Sequence, residues 1–179
     1  MLKKLRELQK TRAMAALYSN ASDTQKFMFG WVLRAEEDWT AVLLAHPNGD
    51  FDGVVCLPTN RLYRVDEGGR YGEKMRRLLK FDPARFSVKL EGEDLAAATL
   101  ELARDTGKIV SLELEESGLN DVTGFVESAD GNACAIRQVD EYGFPDGTST
   151  VALDSITQIS CDTEDEQRIL RLYQAVQNK

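Results

Sequence analysis

Short runs of alternating apolar and polar residues, divided by turn residues, fill most of this chain. This period of two predicts strands, which in the first half fall at 14–20, 26–34, 39–46, 54–57 and 62–65. Tight turns are predicted at Asn48-Gly49 and Asp52-Gly53. Apolar residues at helical spacing predict helices at 2–12, 71–80, 94–106 and 165–177. The sequence therefore predicts a mainly β protein with peripheral helices.

The second half of the chain repeats the first in an ungapped register of 94 positions. Glycines at turns, apolar residues at strand positions and the pattern of the closing helix all recur, which a chance register would not preserve. Upstream, Glu7-Leu8 falls on Glu101-Leu102 at the same offset. Matched pairs include Gly30 and Gly124, Val32 and Val126, Gly49 and Gly143, Asp52-Gly53 and Asp146-Gly147, and Leu62 and Ile156.

The repeat decides one segment that local propensity alone would assign differently. Helix propensity extends the first helix through Leu17, whereas the matching segment 108–114 alternates and contains β-branched residues. We therefore predict that residues 14–20 form a strand, because the match to the second copy outweighs the local helix propensity.

The duplication also sets the domain organisation. We predict a first unit at 1–80, a linker at 81–94 and a second unit at 95–179. Each unit is expected to hold five strands, preceded by one helix and followed by another. Within the linker, residues 85–90 favour an additional edge strand.

The strand at 26–34 has two faces of different character. Met28, Gly30 and Val32 have apolar or small counterparts in the second copy, so this shared face is expected to form the core. Glycine in the middle of the strand predicts a bend or bulge. The opposite face is apolar mainly in the first copy. We predict that it is an interaction face, covered by the other copy, by a terminal helix or by a second chain. Its residues are Phe29, Trp31 and Leu33.

Charge separates the two copies more sharply than composition does. The 179 residues carry a net charge of −8, which divides into 14 Lys+Arg against 10 Asp+Glu over 1–80 and 8 against 20 over 81–179. The acidic total disfavours general nucleic-acid binding, because contacts to phosphate need cations. The first unit, however, can present a basic face.

Composition also bears on location and cofactors. No apolar run approaches the roughly 20 residues needed to cross a bilayer, so no membrane partner is expected. Cys56, Cys134 and Cys161 are odd in number and widely spaced, which indicates reduced thiols in a cytoplasmic protein. A Gly-rich phosphate loop is missing, and we expect no cofactor.

The element order and the repeated positions resemble the Sm-like (LSm) fold within the SH3-like small barrels. The likeness covers 1–66 and 95–160, and it implies two tandem five-stranded barrels. It also implies ring assembly through edge strands and RNA binding in a pore. The family's RNA signatures, an Asn in the first motif and a basic-glycine pair in the second, are missing here. The corresponding segments read Trp39-Thr40-Ala41-Val42-Leu43-Leu44, Pro58-Thr59-Asn60 and Ala152-Leu153-Asp154.

Two polar segments are candidates for metal binding, and each has a simpler interpretation. Residues 48–53 resemble the first half of a calcium loop, but its twelfth position is Thr59, and a hairpin turn favours the same residues. The acidic run 162–166 offers ligands for a cation, whereas a solvated helix N-terminus accounts for it as well. His46, the only histidine, lacks a partner in the pattern and is expected at a strand end. These patterns predict no metal site and no enzyme, while carboxylates paired by folding stay open.

Two functions from different classes fit these observations. The first is a non-enzymatic binding or scaffold protein that acts through protein–protein interaction, with a protein partner or further copies of itself. The alternative is RNA binding through the basic first unit. The competing interpretations are that its cations form the solvated faces of two helices or that they face the acidic second copy. The cations concerned are Lys3, Lys4, Arg6, Lys10, Arg12, Arg76, Arg77 and Lys80.

Overall fold

The computed structural model describes residues 1–85 and 90–178 of the chain. The chain divides into two compact units, Met1–Lys89 and Leu90–Lys179, and both are mainly β with helices, as predicted. Most of the edge strand predicted at 85–90 lies outside the described residues.

The first unit is an antiparallel sheet with two α-helices. Its strands follow the order β5-β1-β2-β3-β4. The elements are α1 (Leu2–Thr11), β1 (Met14–Tyr18), β2 (Met28–Ala35), β3 (Trp39–Ala45), β4 (Phe51–Pro58), a 3₁₀ turn (Thr59–Arg61), β5 (Arg64–Glu67), α2 (Gly69–Leu78) and a second 3₁₀ turn (Pro83–Arg85).

The second unit repeats this sequence of elements. Its strands follow the order β10-β6-β7-β8-β9, which corresponds strand for strand to the first unit. The elements are α3 (Leu95–Thr106), β6 (Ile109–Leu114), β7 (Val122–Ala129), β8 (Ala133–Val139), β9 (Pro145–Ala152), a 3₁₀ turn (Leu153–Ser155), β10 (Ile156–Cys161) and α4 (Glu164–Gln177).

Neither sheet closes on itself through the pairings of the described residues. The first and last strands of each order, β5 with β4 and β10 with β9, are not paired with each other. Each unit is therefore an open antiparallel sheet with helices, and the predicted closed barrels are not formed by these ladders.

The strand registers carry the duplication at the level of single residues. Gly30 lies opposite Leu44, and Gly124 lies opposite Gln138, so both partners are 94 positions apart. Each ladder then shifts register directly after the matching valine, Val32 in β2 and its counterpart in β7. The predicted irregularity is thus present, but it falls after the glycine, not at it.

Glycine is required at the centre of these strands for a different reason. A Cβ on Gly30 would lie 1.9 Å from the carbonyl oxygen of Leu43, and a Cβ on Gly124 would lie 2.1 Å from that of Arg137. Because real side chains do not approach a backbone carbonyl so closely, only glycine allows this contact between neighbouring strands.

Upstream of β2, equivalent residues of the two copies are 95 positions apart, not 94. The predicted match of Glu7-Leu8 with Glu101-Leu102 is therefore wrong. Ala15 lies opposite Gly30, whereas Val110 lies opposite Gly124. The connection from β1 to β2 is one residue longer than its counterpart, and an ungapped comparison cannot detect that. Leu8 therefore corresponds to the fully buried Ala103.

Strand β1 confirms that the repeat outweighs local helix propensity. Helix α1 ends at Thr11, and Arg12 adopts a left-handed φ of 52°, which turns the chain before Met14. Helix α3 ends in the same way on Gly107, with a φ of 64°. Each helix thus stops one turn before the sheet begins.

Strands four and five of the first unit differ from their predicted bounds. β4 begins at Phe51, because its ladder with β3 continues past a register shift, and the turn predicted at Asp52-Gly53 lies inside the strand. β5 begins at Arg64, two residues later than expected. Leu62, predicted as its start, is a buried residue that ends the 3₁₀ turn.

The core of the first unit confirms that the face of β2 with Met28, Gly30 and Val32 is the one that packs in the core. Leu5 and Leu8 of α1 are fully buried and pack with Val32, while Met28 packs against the same cluster from its edge. The remaining members are Ala15, Leu17, Ala35, Val42, Leu44, Val55, Leu57 and Leu62. Among the described residues, no helix is both long and apolar enough to span a bilayer.

Replacing Gly30 or Gly124 by alanine is expected to lower the free energy of unfolding by about 1–3 kcal/mol, because the new methyl group would overlap a strand carbonyl. Gly72 in α2 is the matched control, since no described atom beyond its own turn of helix lies within 4 Å of its Cβ position. Gly72→Ala is expected to stabilise by about 0.5–1 kcal/mol. Denaturant unfolding measures all three variants, and a Gly30→Ala protein as stable as wild type would contradict the close approach.

Candidate functional site

The predicted interaction face of the first unit lies under its own C-terminal segment. Phe29 and Trp31 are buried, with Trp31 only 7% exposed, and Leu33 is partly buried. The ring of Tyr71 in α2 packs edge-on against Phe29 at 5.0 Å, and that of Phe81 packs against Trp31 at 5.7 Å. The terminal helix was one of the three covers predicted for this face. A partner could reach these side chains only if α2 and the segment after it moved away.

The same layer is partly polar in the second unit. Ser111 and Thr123 face each other across β6 and β7, with 3.1 Å between their hydroxyl oxygens, and Glu166 of α4 lies buried beside Ser111. Helix α2 therefore rests on apolar side chains, whereas α4 rests on these polar groups and on a ring contact, in which Tyr173 packs against Phe125 at 5.0 Å. The counterparts of Ser111, Thr123 and Glu166 in the first unit are Ala16, Phe29 and Gly72.

Glu166 is the most buried carboxylate of this layer, at 1% exposure. It completes the capping box of α4, because Thr163 N–H donates to its Oε2 at 2.9 Å. Burial raises the pKa of the carboxyl group, while the hydrogen bonds from Ser111 and Thr163 lower it to a smaller extent. The acidic run at 162–166 was expected to be solvated, and for Glu166 this is wrong. Within 1–85 and 90–178, no group of three or more His, Cys, Asp or Glu residues is placed to hold a metal ion.

The eight cations proposed for RNA binding are divided between the two faces of the first sheet. Helix α1 packs on the side of Val32, whereas Tyr71 of α2 contacts Phe29. Residues three apart in a strand point to opposite faces, so the two helices lie on opposite sides. Lys3, Lys4, Arg6, Lys10 and Arg12 belong to α1 and its end, and Arg76, Arg77 and Lys80 to α2 and its end.

Several of these cations already have acidic partners. Lys4 lies 2.7 Å from Glu67, and Lys80 lies 3.0 Å from Asp50. Arg6 lies 3.6 Å from Glu36 and also donates to the carbonyl of Ala35. The other five cations are exposed and have no ion-pair partner in the part of the chain that the structure describes. These are Lys3, Lys10 and Arg12 on the side of α1, and the neighbouring pair Arg76 and Arg77 on α2.

The segment resembling a calcium loop forms the predicted hairpin turn. His46 N–H donates to the carbonyl of Asp50 at 2.9 Å, and Asp50 N–H donates to the Asn48 side chain at 3.1 Å. Asn48 N–H also donates to His46 Nδ1 at 3.3 Å, so the histidine belongs to the turn at the end of β3. The side chains of His46 and Asn48 thus hold the backbone of their own turn, while the Asp50 carboxylate pairs with Lys80.

An exposed apolar surface, which the sequence reasoning missed, lies at the corresponding turn of the second unit. Tyr142 and Phe144 are 66% and 52% exposed, and Leu172 of α4 is 38% exposed. Between the two aromatic residues, Gly143 lies so close to the helix that a Cβ on it would come 2.8 Å from that of Leu172. We call Tyr142, Phe144 and Leu172 the aromatic turn surface. The signal that the sequence offers is the replacement of Asn48 and Asp50 by aromatic residues at the same turn positions.

Comparison with known proteins finds no match to a protein-family model, to a curated protein or to a solved structure. The activity of the chain is therefore inferred from its own residues and their geometry.

Glu166→Gln is expected to raise the free energy of unfolding at pH 7, because it replaces a buried carboxylate by a neutral side chain that can still accept from Thr163. The raised pKa means that the folded state holds its proton more tightly than the unfolded state. Wild-type stability from this group is therefore lost as pH rises from the unfolded pKa through the folded pKa, and the gain from Gln should shrink towards acidic pH.

Unfolding by denaturant between acidic and neutral pH measures this difference. Glu101→Gln, which removes an exposed carboxylate from α3, is the control and should leave the pH profile close to that of wild type. A Glu166→Gln protein that is less stable than wild type at pH 7 would show that the ionised carboxylate is the stabilising form.

Proposed function

We propose that the chain is a non-enzymatic binding or scaffold protein, built from duplicated Sm-like barrels and acting through protein–protein interaction. One observation carries this proposal. The two units keep the same strand registers and close glycine contacts, while the side chains they expose at equivalent turns differ in kind. A scaffold that preserves its backbone and varies its surface is typical of binding modules.

The order of elements supports the Sm-like part of this proposal. Both units place one helix before the sheet, a glycine in the second strand and a 3₁₀ turn between the fourth and fifth strands. In the first unit the first residue of that turn is buried and hydrogen-bonded to neighbouring residues. Thr59 is buried, its hydroxyl lies 2.8 Å from that of Thr40, and it donates to the carbonyl of Glu36. These contacts favour a structural role where the family carries part of its RNA site.

Protein partners or further copies of the chain are the proposed ligands. The aromatic turn surface supports this, because exposed Tyr and Phe side chains that lie together are typical of contacts between proteins. A cytoplasmic location fits the three cysteines, all of which are buried free thiols, since disulfides are rare in that compartment.

The alternative is RNA binding by the first unit. It is favoured by Arg76 and Arg77, which are exposed on α2 without acidic partners among the described residues. It is weakened by the separation of α1 and α2 onto opposite faces, because a nucleic-acid strand would contact three cations on one side or five on the other, not all eight.

The proposed function predicts that tagged full-length chain, captured from nuclease-treated lysate of cells that naturally produce it, retains a stoichiometric protein, either another copy or a different chain. Tyr142→Asn combined with Phe144→Asp should reduce retention at least about tenfold, because aromatic anchors dominate the energy of such contacts. Glu101→Gln is the surface control and should retain the same protein. Recovery of neither a different protein nor a second copy would contradict the proposal.

The alternative predicts that fluorescently labelled single-stranded RNA binds the chain at low salt, with an affinity that falls steeply as salt rises. Arg76→Glu combined with Arg77→Glu should abolish this binding, whereas Lys3→Glu with Lys10→Glu should change it less. Fluorescence anisotropy measures both variants. Equal binding by the two charge reversals would indicate nonspecific attraction and remove the alternative.

A further inference from the structure

The aromatic side chains of the aromatic turn surface are not required by the turn that carries them. In the first unit His46 N–H donates to the carbonyl of Asp50 at 2.9 Å, and in the second Asp140 N–H donates to that of Phe144 at 2.9 Å. The same backbone turn therefore forms with Asp or Phe at one position, just as it forms with Asn48 or Tyr142 at the other. An exposed Tyr and Phe at such positions indicate a binding role, since the fold does not need them.

The surroundings of this surface are acidic. Carboxylates outnumber cations there, although the exposed Arg171 precedes Leu172. Asp140 lies at the base of the turn, where its carboxylate accepts from the N–H groups of Tyr142 and Phe144 at 3.0 and 2.8 Å. The Glu141 carboxylate hydrogen-bonds to the Tyr142 hydroxyl and raises its pKa. Over 90–179 the chain has 6 Lys+Arg against 19 Asp+Glu, a net charge of −13. A ligand for this surface should therefore combine an apolar side chain with positive charge.

Helix α2 of the first unit has this combination. Leu78 at its end is 37% exposed, and the preceding Arg76 and Arg77 have no ion-pair partner within the described ranges. Residues 1–89 have 16 Lys+Arg against 11 Asp+Glu, a net charge of +5. One chain thus exposes both an acidic aromatic surface and a basic helix end of complementary chemistry.

We propose that the aromatic turn surface binds helix α2 of a second copy of this chain, with Leu78 against Tyr142 and Phe144 and the two arginines against the surrounding carboxylates. This rests on the proposed function and names the partner. The contact is heterologous, because each copy contributes a different surface to it. A closed pair or a longer assembly can therefore form, depending on whether the second surface of each copy also engages.

Sedimentation velocity of the purified full-length chain tests the contact. Wild type should show concentration-dependent association at about 0.05 M NaCl that weakens at about 0.5 M, where screening shortens the range of charge attraction. Tyr142→Asn with Phe144→Asp, which places the residues of the first turn into the second, should weaken association at least about tenfold. Arg76→Glu with Arg77→Glu should do the same.

The matched control for the arginine variant is Lys3→Glu with Lys10→Glu. It makes the same change in net charge, but on α1 at the opposite face of the first sheet, and it should associate like wild type. Circular dichroism and denaturant unfolding establish that each variant is folded.

Mixing the two interface variants gives the sharpest outcome. The turn variant keeps an intact α2, and the arginine variant keeps an intact aromatic turn surface, so each alone should be monomeric while an equimolar mixture forms a 1:1 complex. A monomeric wild type at every concentration, a turn variant that associates like wild type, or an α1 control as weak as the arginine variant would each overturn the proposal. If wild type is monomeric but retains a different protein through Tyr142 and Phe144, self-association fails and the proposed binding function stands.

Discussion

The carbonyl of Leu43 passes so close to Gly30 that no side chain fits between strands β2 and β3, and Arg137 stands in the same relation to Gly124. Both ladders shift register just beyond this point, so the close contact is followed by a local increase in bend and twist. The core under α1 depends on this geometry, because it places Val32 and Leu44 on the face that receives Leu5 and Leu8. Two residues without side chains thus determine how both sheets are built.

On this common backbone, the layer beneath the second helix of each unit, α2 or α4, differs in chemistry between the two units. In the first unit the aromatic rings of Phe27, Phe29 and Tyr71 fill it. In the second, hydroxyl groups and the carboxyl group of Glu166 share it with the rings of Phe125 and Tyr173. The apolar form contributes burial, whereas the polar form contributes directional hydrogen bonds and a titrating group. The duplicated sheet supports both, since neither alters the strand register.

Much of this fold follows from the sequence, because each element occurs twice and the two copies can be compared. The strand at β1 was identified from its alternating counterpart, against its own helix propensity, and Gly30 and Gly124 were recognised as equivalent. Comparison without gaps could not detect the additional residue between β1 and β2, so the upstream helices were misaligned by one position. Nor does an alternating pattern reveal whether the ends of a sheet meet, since closure depends on strand tilt and not on which residues face inward.

The functional residues were harder to identify than the fold, because exposure is a property of the assembled chain. Phe29 and Trp31 were noticed for their apolar character, yet Tyr71 and Phe81 cover them. Tyr142 and Phe144 stand where the first unit has Asn48 and Asp50, and their position in a turn, where side chains point to solvent, is the informative signal.

Arg12 shows one consequence of letting two copies of a backbone diverge in charge. It ends α1 in the left-handed conformation that Gly107 adopts at the end of α3, and a residue with a Cβ is less stable there than glycine by about 1 kcal/mol. A cation at a helix C-terminus is favourable, because it faces the negative end of the helix dipole. Dissolved electrolyte screens this attraction without relaxing the backbone, so high ionic strength should loosen the end of the first helix more than that of the third, where Gly107 carries no such strain.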